Sequence, residues 1–226
     1  MSNTDSFIDE VNEEVRRDRL YGLLRRYGWI AVLAILVIVG GAAFNEYRKA
    51  QEEARAQALG DAMLAALSED NATSRAGALA GIDAETPEGT AVLSLLQAGA
   101  FADAGDTDGA IAALTAVQNA ADAPLIYRQI ATFRALLLQS DTLDVEARRA
   151  GFQSLAVPGV PFRLLAEEQL ALIEIETGNT DAAIDMLRPM LDDAEASAGL
   201  QRRALQAIVA LGGTLADEDT DAATDN

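Results

Sequence analysis

The chain has 226 residues, a formal net charge of −19 and a hydrophobic fraction of 50%, but neither histidine nor cysteine. This composition excludes Ser-His-Asp and Cys-His nucleophile systems, histidine- or thiolate-bound metals, c-type haem attachment and disulfides. Residues 1–49 carry seven basic and seven acidic residues, so the whole net charge belongs to residues 50–226. Because so acidic a portion repels phosphate backbones, we expect no nucleic-acid partner.

An uncharged segment near the start of the chain predicts a transmembrane helix over residues 27–47. Residues 28–44 (GWIAVLAILVIVGGAAF) contain no charged side chain. A helix over residues 27–47 is about 31 Å long, close to the ~30 Å hydrocarbon core of a bilayer. Basic and aromatic residues flank it as interfacial anchors, namely Arg25, Arg26, Tyr27, Trp29, Tyr47, Arg48 and Lys49.

A cleaved signal peptide is the alternative interpretation of this segment, because Gly41-Ala42-Ala43 offers small residues to a signal peptidase. The preceding region is 26 residues long and carries six acidic residues beside its five arginines. The helical pattern also continues past the candidate cleavage site. These two features favour an uncleaved anchor.

The distribution of basic residues predicts the orientation of the anchor. Residues 1–26 contain five arginines, whereas Arg48, Lys49 and Arg55 follow the span among several glutamates. Orientation follows lysine and arginine near the span ends, and acidic residues count for little. Residues 1–26 are therefore predicted to be a cytoplasmic segment, with the carboxy-terminal portion on the opposite side of the membrane.

Residues 48–90 are predicted to form a stalk helix followed by a joint. The pattern from Arg48 to about Leu67 continues the membrane helix into a first packed helix. Residues 71–89 are rich in alanine, glycine, serine and threonine, which indicates a looser connection.

Residues 91–213 are predicted to be entirely helical, which makes the chain all-α. They are rich in alanine, leucine, glutamate and glutamine, and apolar residues recur at spacings of three and four. Breaks are expected at Gly105, at Pro124, over residues 157–161 and at Gly178. Predicted helices cover residues 125–139, 144–156, 161–177 (with Pro161 in the first turn) and 201–211.

Two segments of this region resemble each other. GDTDGAIAAL at residues 105–114 aligns with GNTDAAIDML at residues 178–187, an offset of 73 residues. That offset is close to two repeats of about 34 residues, so a divergent helical pair is expected between the two segments. An ordinary helical bundle with two similar turns is the alternative.

Each of these segments resembles the middle of a tetratricopeptide repeat. Gly105 would end a first helix in a left-handed conformation, and Asp106 or Asp108 would cap the second helix. The motif's small, aromatic and large positions fall in the first copy at Ala98, Phe101, Ala110 and Leu114. The second copy has Ala171, Gly178, Asp181, Ala183 and Leu187 in corresponding places, with Glu174 where the motif has an aromatic residue.

The end of the chain follows the same plan. The helix over residues 201–211 would cover the exposed apolar face of the last hairpin, as repeat arrays require. Residues 214–226 are rich in aspartate and nearly devoid of apolar side chains, so we expect a disordered acidic tail.

The whole layout resembles a bacterial inner-membrane family whose best-known member is the ancillary subunit of the Sec translocon. The resemblance covers roughly residues 10–213 and includes the segment PFRLLAEEQLALIEIETGNTDAAIDML and the ending GLQRRALQAIVALGG. It implies a degenerate tetratricopeptide-like α-solenoid in the periplasm, anchored in the inner (cytoplasmic) membrane by its amino terminus. It also implies association with the translocon and periplasmic chaperones to assist exported proteins.

Three other functions are open alternatives. The module could be an envelope scaffold or regulator for cell-wall, division or polysaccharide machinery. Residues 1–26 could bind a cytoplasmic regulator. An enzyme would need a carboxylate pair in a cleft, and no pair stands out among so many acidic residues, so we expect no enzyme and no cofactor. A calcium loop at residues 104–115 lacks its first and last ligands, so no metal is expected.

Overall fold

A computed structural model describes the backbone of residues 3–214 and the side chains of residues 25–30 and 32–214. All regular structure in that range is helical, which confirms the all-α prediction. The helices are α1 Asn3–Leu67, α2 Ala72–Ala80, α3 Pro87–Asp103, α4 Thr107–Asn119, α5 Leu125–Leu138, α6 Val145–Leu155, α7 Arg163–Glu176, α8 Thr180–Leu187, α9 Pro189–Asp192 and α10 Ala198–Ala210. The acidic tail beyond Thr214 and the side chains of residues 1–24 lie outside the described residues.

The chain divides into two compact units, Met1–Ala58 and Leu59–Asn226. The first unit comprises most of α1 and contains the apolar segment predicted to span a membrane. The described large apolar side chains of this segment are exposed, including Val37, Ile38 and Val39. Among the described residues, the stretch Arg25–Leu67 of α1 is the one that is long and apolar enough to be a candidate membrane span.

In the second unit, side-chain caps fix where several helices begin. Asn71, Thr86, Asp106, Asp144 and Ser197 each precede a helix and accept a hydrogen bond from the backbone N–H three residues ahead, at 2.8–3.3 Å. The first four N–H groups of a helix lack intrahelical partners, so each cap satisfies one of them. These capped starts divide an alanine-rich sequence into short helices of defined length.

The core of the second unit is a series of local clusters rather than one central core. One cluster joins α3, α4 and α5 around Leu95, Leu114 and Ala131. Another joins α5, α6 and α7, and a third joins α7 to α8, α9 and α10. Each helix therefore packs chiefly against its neighbours in the chain, as antiparallel helices with short connections do.

Hydrogen bonds also join helices that are not consecutive. The Arg134 guanidinium on α5 donates to the Leu95 carbonyl on α3 at 3.2 Å. The pair Glu168–Arg203 joins α7 to α10. A hydrogen bond therefore joins α3 to α5, and an ion pair joins α7 to α10.

Two details differ from the sequence predictions. The segment expected to be a loose joint contains α2, whose Leu79 is fully buried and whose start is capped by Asn71. Burial of Leu79 against α3 outweighs the modest helix propensity of its glycine, serine and threonine neighbours. Pro161 lies outside α7, which begins at Arg163, because a turn closed by a 3.0 Å hydrogen bond from the Arg163 N–H to the Val160 carbonyl precedes the helix.

Candidate interaction groove along α7

The two predicted repeat turns have the same backbone geometry. Gly105 has a φ of 79° and Gly178 a φ of 81°, in the left-handed region that favours glycine. The Gly105 N–H donates to the Ala102 carbonyl at 3.0 Å, and the next N–H donates to the Phe101 carbonyl at 2.9 Å. The equivalent bonds at the second turn measure 3.1 and 2.8 Å. Both are Schellman caps, which end α3 and α7 and reverse the chain.

The other repeat residues occupy the interfaces inside each hairpin. The small residues of both copies and their large partners are buried, namely Ala98, Ala110, Leu114, Ala171, Ala183 and Leu187. Phe101 is partly buried against a further cluster, in which α1, α2 and α3 meet around Met63, Leu79 and Leu93. Asp108 and Asp181 are exposed in the first turns of α4 and α8, and Asp106 rather than Asp108 caps α4.

Glu174 holds the place of the motif's aromatic residue in the second hairpin and has a polar role there. Its carboxylate accepts hydrogen bonds from Arg149 on α6 and from the Asn179 side-chain amide, the latter at 2.8 Å. These donors stabilise the charged form and hold the pKa of Glu174 below its ordinary value. An ion pair between α6 and α7 thus occupies this position of the second hairpin.

Three adjoining depressions follow α7, and together they form what we term the α7 groove. The central one has a volume of about 410 Å³ and is lined by Phe133, Leu137, Leu165, Leu172 and Ala207, with Glu168 and Arg203. A depression of about 350 Å³ shares Leu165 and lies beside Arg163, and one of about 40 Å³ shares Leu137 and Leu172 and lies beside Glu176. The groove therefore runs the length of α7, about 20 Å.

Two leucines make the middle of the groove apolar and open. Leu137 on α5 is 40% exposed and Leu172 on α7 is 44% exposed, and both line the central depression. Full burial of a leucine side chain contributes about 1.5–3 kcal/mol, so covering the exposed parts of both contributes about 1.3–2.5 kcal/mol. The groove thus offers apolar surface that a ligand or partner would stabilise by covering.

Ion pairs hold the helices that line the groove. Both oxygens of the buried Glu168 accept hydrogen bonds at 2.7 Å from the Arg203 guanidinium, which raises the pKa of Arg203. Both oxygens of Glu176 accept hydrogen bonds from Arg148 Nη2, at 2.6 and 2.7 Å. Such bidentate pairs fix the orientation of both partners. They tie α7 to α10 and to α6, the helices beside the groove.

A cluster of charges stands at the amino-terminal end of the groove. The Arg163 guanidinium lies 2.8 Å from carboxylates of Asp193 and Glu195 and 3.3 Å from Glu167. Hydrogen bonds from Arg163 and from the Glu195 backbone N–H hold the pKa of Asp193 below its ordinary value, and the surrounding carboxylates raise the pKa of Arg163. One positive charge thus faces three negative charges.

Sequence reasoning missed this groove. It gave Leu137, Leu165 and Leu172 no role in binding. The signal that could have found them is the composition of α7, where leucine or isoleucine occurs at positions 164, 165, 170, 172, 173 and 175. That set is too broad for one buried stripe, so part of it must face outward.

The predicted membrane-flanking residues lie on α1, in the first unit. All of them are exposed, namely Arg25, Arg26, Tyr27, Trp29, Tyr47, Arg48 and Lys49. The Arg26 guanidinium lies 5.9 Å from the centre of the Tyr27 ring, and Arg48 Nη2 lies 3.4 Å from a Glu52 oxygen. Exposed aromatic and basic side chains at both ends of an apolar segment suit the two interfaces of a bilayer.

No family model, curated protein or solved structure matches the chain. Over the side chains that the structure describes, no cluster of three or more acidic residues could hold a metal ion. What the α7 groove offers is apolar surface between fixed ion pairs. This chemistry suits the binding of apolar side chains in a defined geometry.

Proposed function

We propose that the chain is a membrane-anchored protein-interaction module whose α7 groove receives segments of partner proteins. The partners we propose are components of the Sec translocon and periplasmic chaperones, which the module would bring together to assist exported proteins. It would act by binding alone, without a catalytic step or a cofactor. The observation that carries the proposal is the open apolar groove with Leu137 and Leu172 at its centre.

The hairpins α3–α4 and α7–α8 support a tetratricopeptide-like array. Both have a glycine in the left-handed conformation between their helices and buried alanines where the helices meet. Stacked hairpins of this kind present extended surfaces that bind peptides or helices. A groove formed by α5, α7 and α10 suits such a surface.

The proposed cellular location of the carboxy-terminal unit depends on the membrane anchor. The arginines before the apolar segment of α1 favour a cytoplasmic amino terminus. The resemblance to the bacterial inner-membrane family implies that the carboxy-terminal unit is periplasmic. Tethering confines the groove to the membrane surface and raises its effective concentration near a translocation exit. The acidic character of residues 50–226 disfavours nucleic acid and acidic surfaces as competing partners.

Site-directed photo-crosslinking in intact membranes tests this function. A photoreactive amino acid replaces Leu172 in the groove, and a matched control replaces Gln153, which is exposed on α6 and does not line the groove. We expect adducts with translocon or chaperone components from position 172 and none from position 153. Equal adducts from both positions, or none from position 172, would contradict the proposal.

A further inference from the structure

We infer that the partner segment that occupies the α7 groove is a cationic amphipathic helix, with its basic end over the carboxylates around Arg163. This inference rests on the proposed function and specifies the chemistry of the partner. It follows from three properties of the groove: its apolar floor, its internally satisfied backbone and the excess of carboxylates at one end.

The apolar floor requires apolar side chains on one face of the partner. Leu165 is shared by the first and central depressions, and Leu172 by the central and last ones, so apolar contacts continue along α7. Positions 165 and 172 are seven residues apart, or two helical turns. A partner helix with apolar residues at every third or fourth position would contact both.

The helices that line the groove favour a helical partner over an extended one. Helix α7 and its neighbours use their backbone N–H and C=O groups within their own turns, so the groove has no strand edge to pair with a peptide backbone. An extended segment lying on Leu137 and Leu172 would gain no backbone hydrogen bonds from the groove and would depend on water for them. A helix satisfies these groups internally, and one of about 14 residues matches the roughly 20 Å length of α7.

The excess negative charge at the Arg163 end sets the sign of the partner. Asp193, Glu195 and Glu167 share the single guanidinium of Arg163. Glu195 lines the first depression and its side chain is 76% exposed, whereas Asp193 and Glu167 lie beside the groove as partners of Arg163. A lysine or arginine placed there would meet carboxylates that Arg163 only partly neutralises. The same location would repel an acidic segment.

The other arginine side chains beside the groove are already paired with carboxylates. Arg148 and Arg203 are bound bidentately by Glu176 and Glu168, and Arg149 is bound by Glu174. Because these arginines are paired within the chain, an approaching cation meets few free positive charges beside the groove. The chain as a whole carries a net charge of −19. A second copy of this chain carries the same charge and is disfavoured as the occupant.

Peptide binding to the full chain tests this inference. The chain is placed in nanodiscs of zwitterionic phosphatidylcholine, with empty discs as the baseline. Three labelled 14-residue amphipathic helices share one leucine face and differ in carrying lysine, glutamine or glutamate at their polar positions. Fluorescence anisotropy measures the three dissociation constants at low and high salt.

We expect the lysine peptide to bind about tenfold more tightly than the glutamate peptide, with a preference that falls at high salt. The double variant Glu167→Gln, Glu195→Gln removes most of this preference. The matched double variant Glu69→Gln, Glu88→Gln removes two exposed charges that neither line the groove nor pair with Arg163, and it keeps the preference. Leu172→Glu weakens binding of the lysine and glutamine peptides.

The remaining outcomes separate the two proposals. Equal binding of the three peptides, all lost in Leu172→Glu, overturns the charge inference and leaves the proposed function standing. Equal loss of preference in both double variants overturns the placement at Arg163. Failure of every peptide to bind above the empty-disc baseline, or lysine-peptide binding that survives Leu172→Glu, counts against the groove itself and therefore against both proposals.

Discussion

The Schellman turn at Gly105 predicts how replacing its glycine by alanine changes the free energy of unfolding. The sign of that change depends only on the backbone conformation. A Cβ added at Gly105 would meet no atom within 4 Å, but the residue has a φ of 79°. An L-residue in that conformation costs about 1–2 kcal/mol, and the loss of glycine's freedom in the unfolded chain offsets about 0.4–1 kcal/mol of this. We therefore expect Gly105→Ala to lower the free energy of unfolding by about 1 kcal/mol.

Gly77 provides the matched control. It lies in α2, is exposed, and a Cβ there would also meet no atom within 4 Å. Because Gly77 is inside a helix, Gly77→Ala should raise the free energy of unfolding by about 0.5–1 kcal/mol. Thermal melts of the full chain by circular dichroism should separate the two variants by roughly 4–6 °C. Equal melting temperatures would refute the assignment of a left-handed turn at Gly105.

Three further predictions concern charge and topology. Glu176→Gln leaves the buried Arg148 guanidinium without a charged partner. It should lower the free energy of unfolding, measured by urea titration, by about 1–3 kcal/mol. The matched control is Glu146→Gln, at an 82% exposed carboxylate 3.9 Å from Arg149, which should lower the free energy of unfolding by less than about 0.5 kcal/mol. Equal losses in the two variants would show that the Arg148–Glu176 pair contributes no more than an exposed pair. The pKa values of Glu174 and Asp193 are lowered in the folded chain, so their stabilisation is present at neutral pH and is lost as the pH falls below about 4. Urea midpoints should fall over that range, less steeply in Glu174→Gln, and a midpoint independent of pH would contradict the assignment. Protease added to spheroplasts should digest the carboxy-terminal unit, whereas digestion only after lysis would reverse the predicted orientation.

Local rules predicted the helices and their ends well. Gly105 and Gly178 were recognised as turns because few residues other than glycine adopt a left-handed conformation at a helix end. Asp106 was recognised as a candidate cap, alongside Asp108, because a short carboxylate side chain can accept an exposed N–H of the first turn. Such signals depend on a few adjacent residues and can be read from the chain directly.

The features that needed tertiary information were missed. Helix α2 depends on burial of Leu79 against α3, and no local propensity reports that contact. The groove forms where α5, α7 and α10 meet, and its residues on these three helices are 28 or more positions apart in the chain from one helix to the next. The Glu168–Arg203 pair at its side likewise joins positions 35 residues apart, and its partners could not be chosen from so many acidic and basic residues.

The central claim is that the α7 groove binds translocon or chaperone proteins, and quantitative co-purification from mildly solubilised membranes tests it most directly. The wild-type chain, Leu172→Glu and the surface control Gln153→Glu are compared at equal expression and equal helical content. We predict that recovery of translocon or chaperone components falls about tenfold with Leu172→Glu, because a partner would bury an unpaired charge, and is unchanged with Gln153→Glu. Equal recovery with all three chains would contradict the claim.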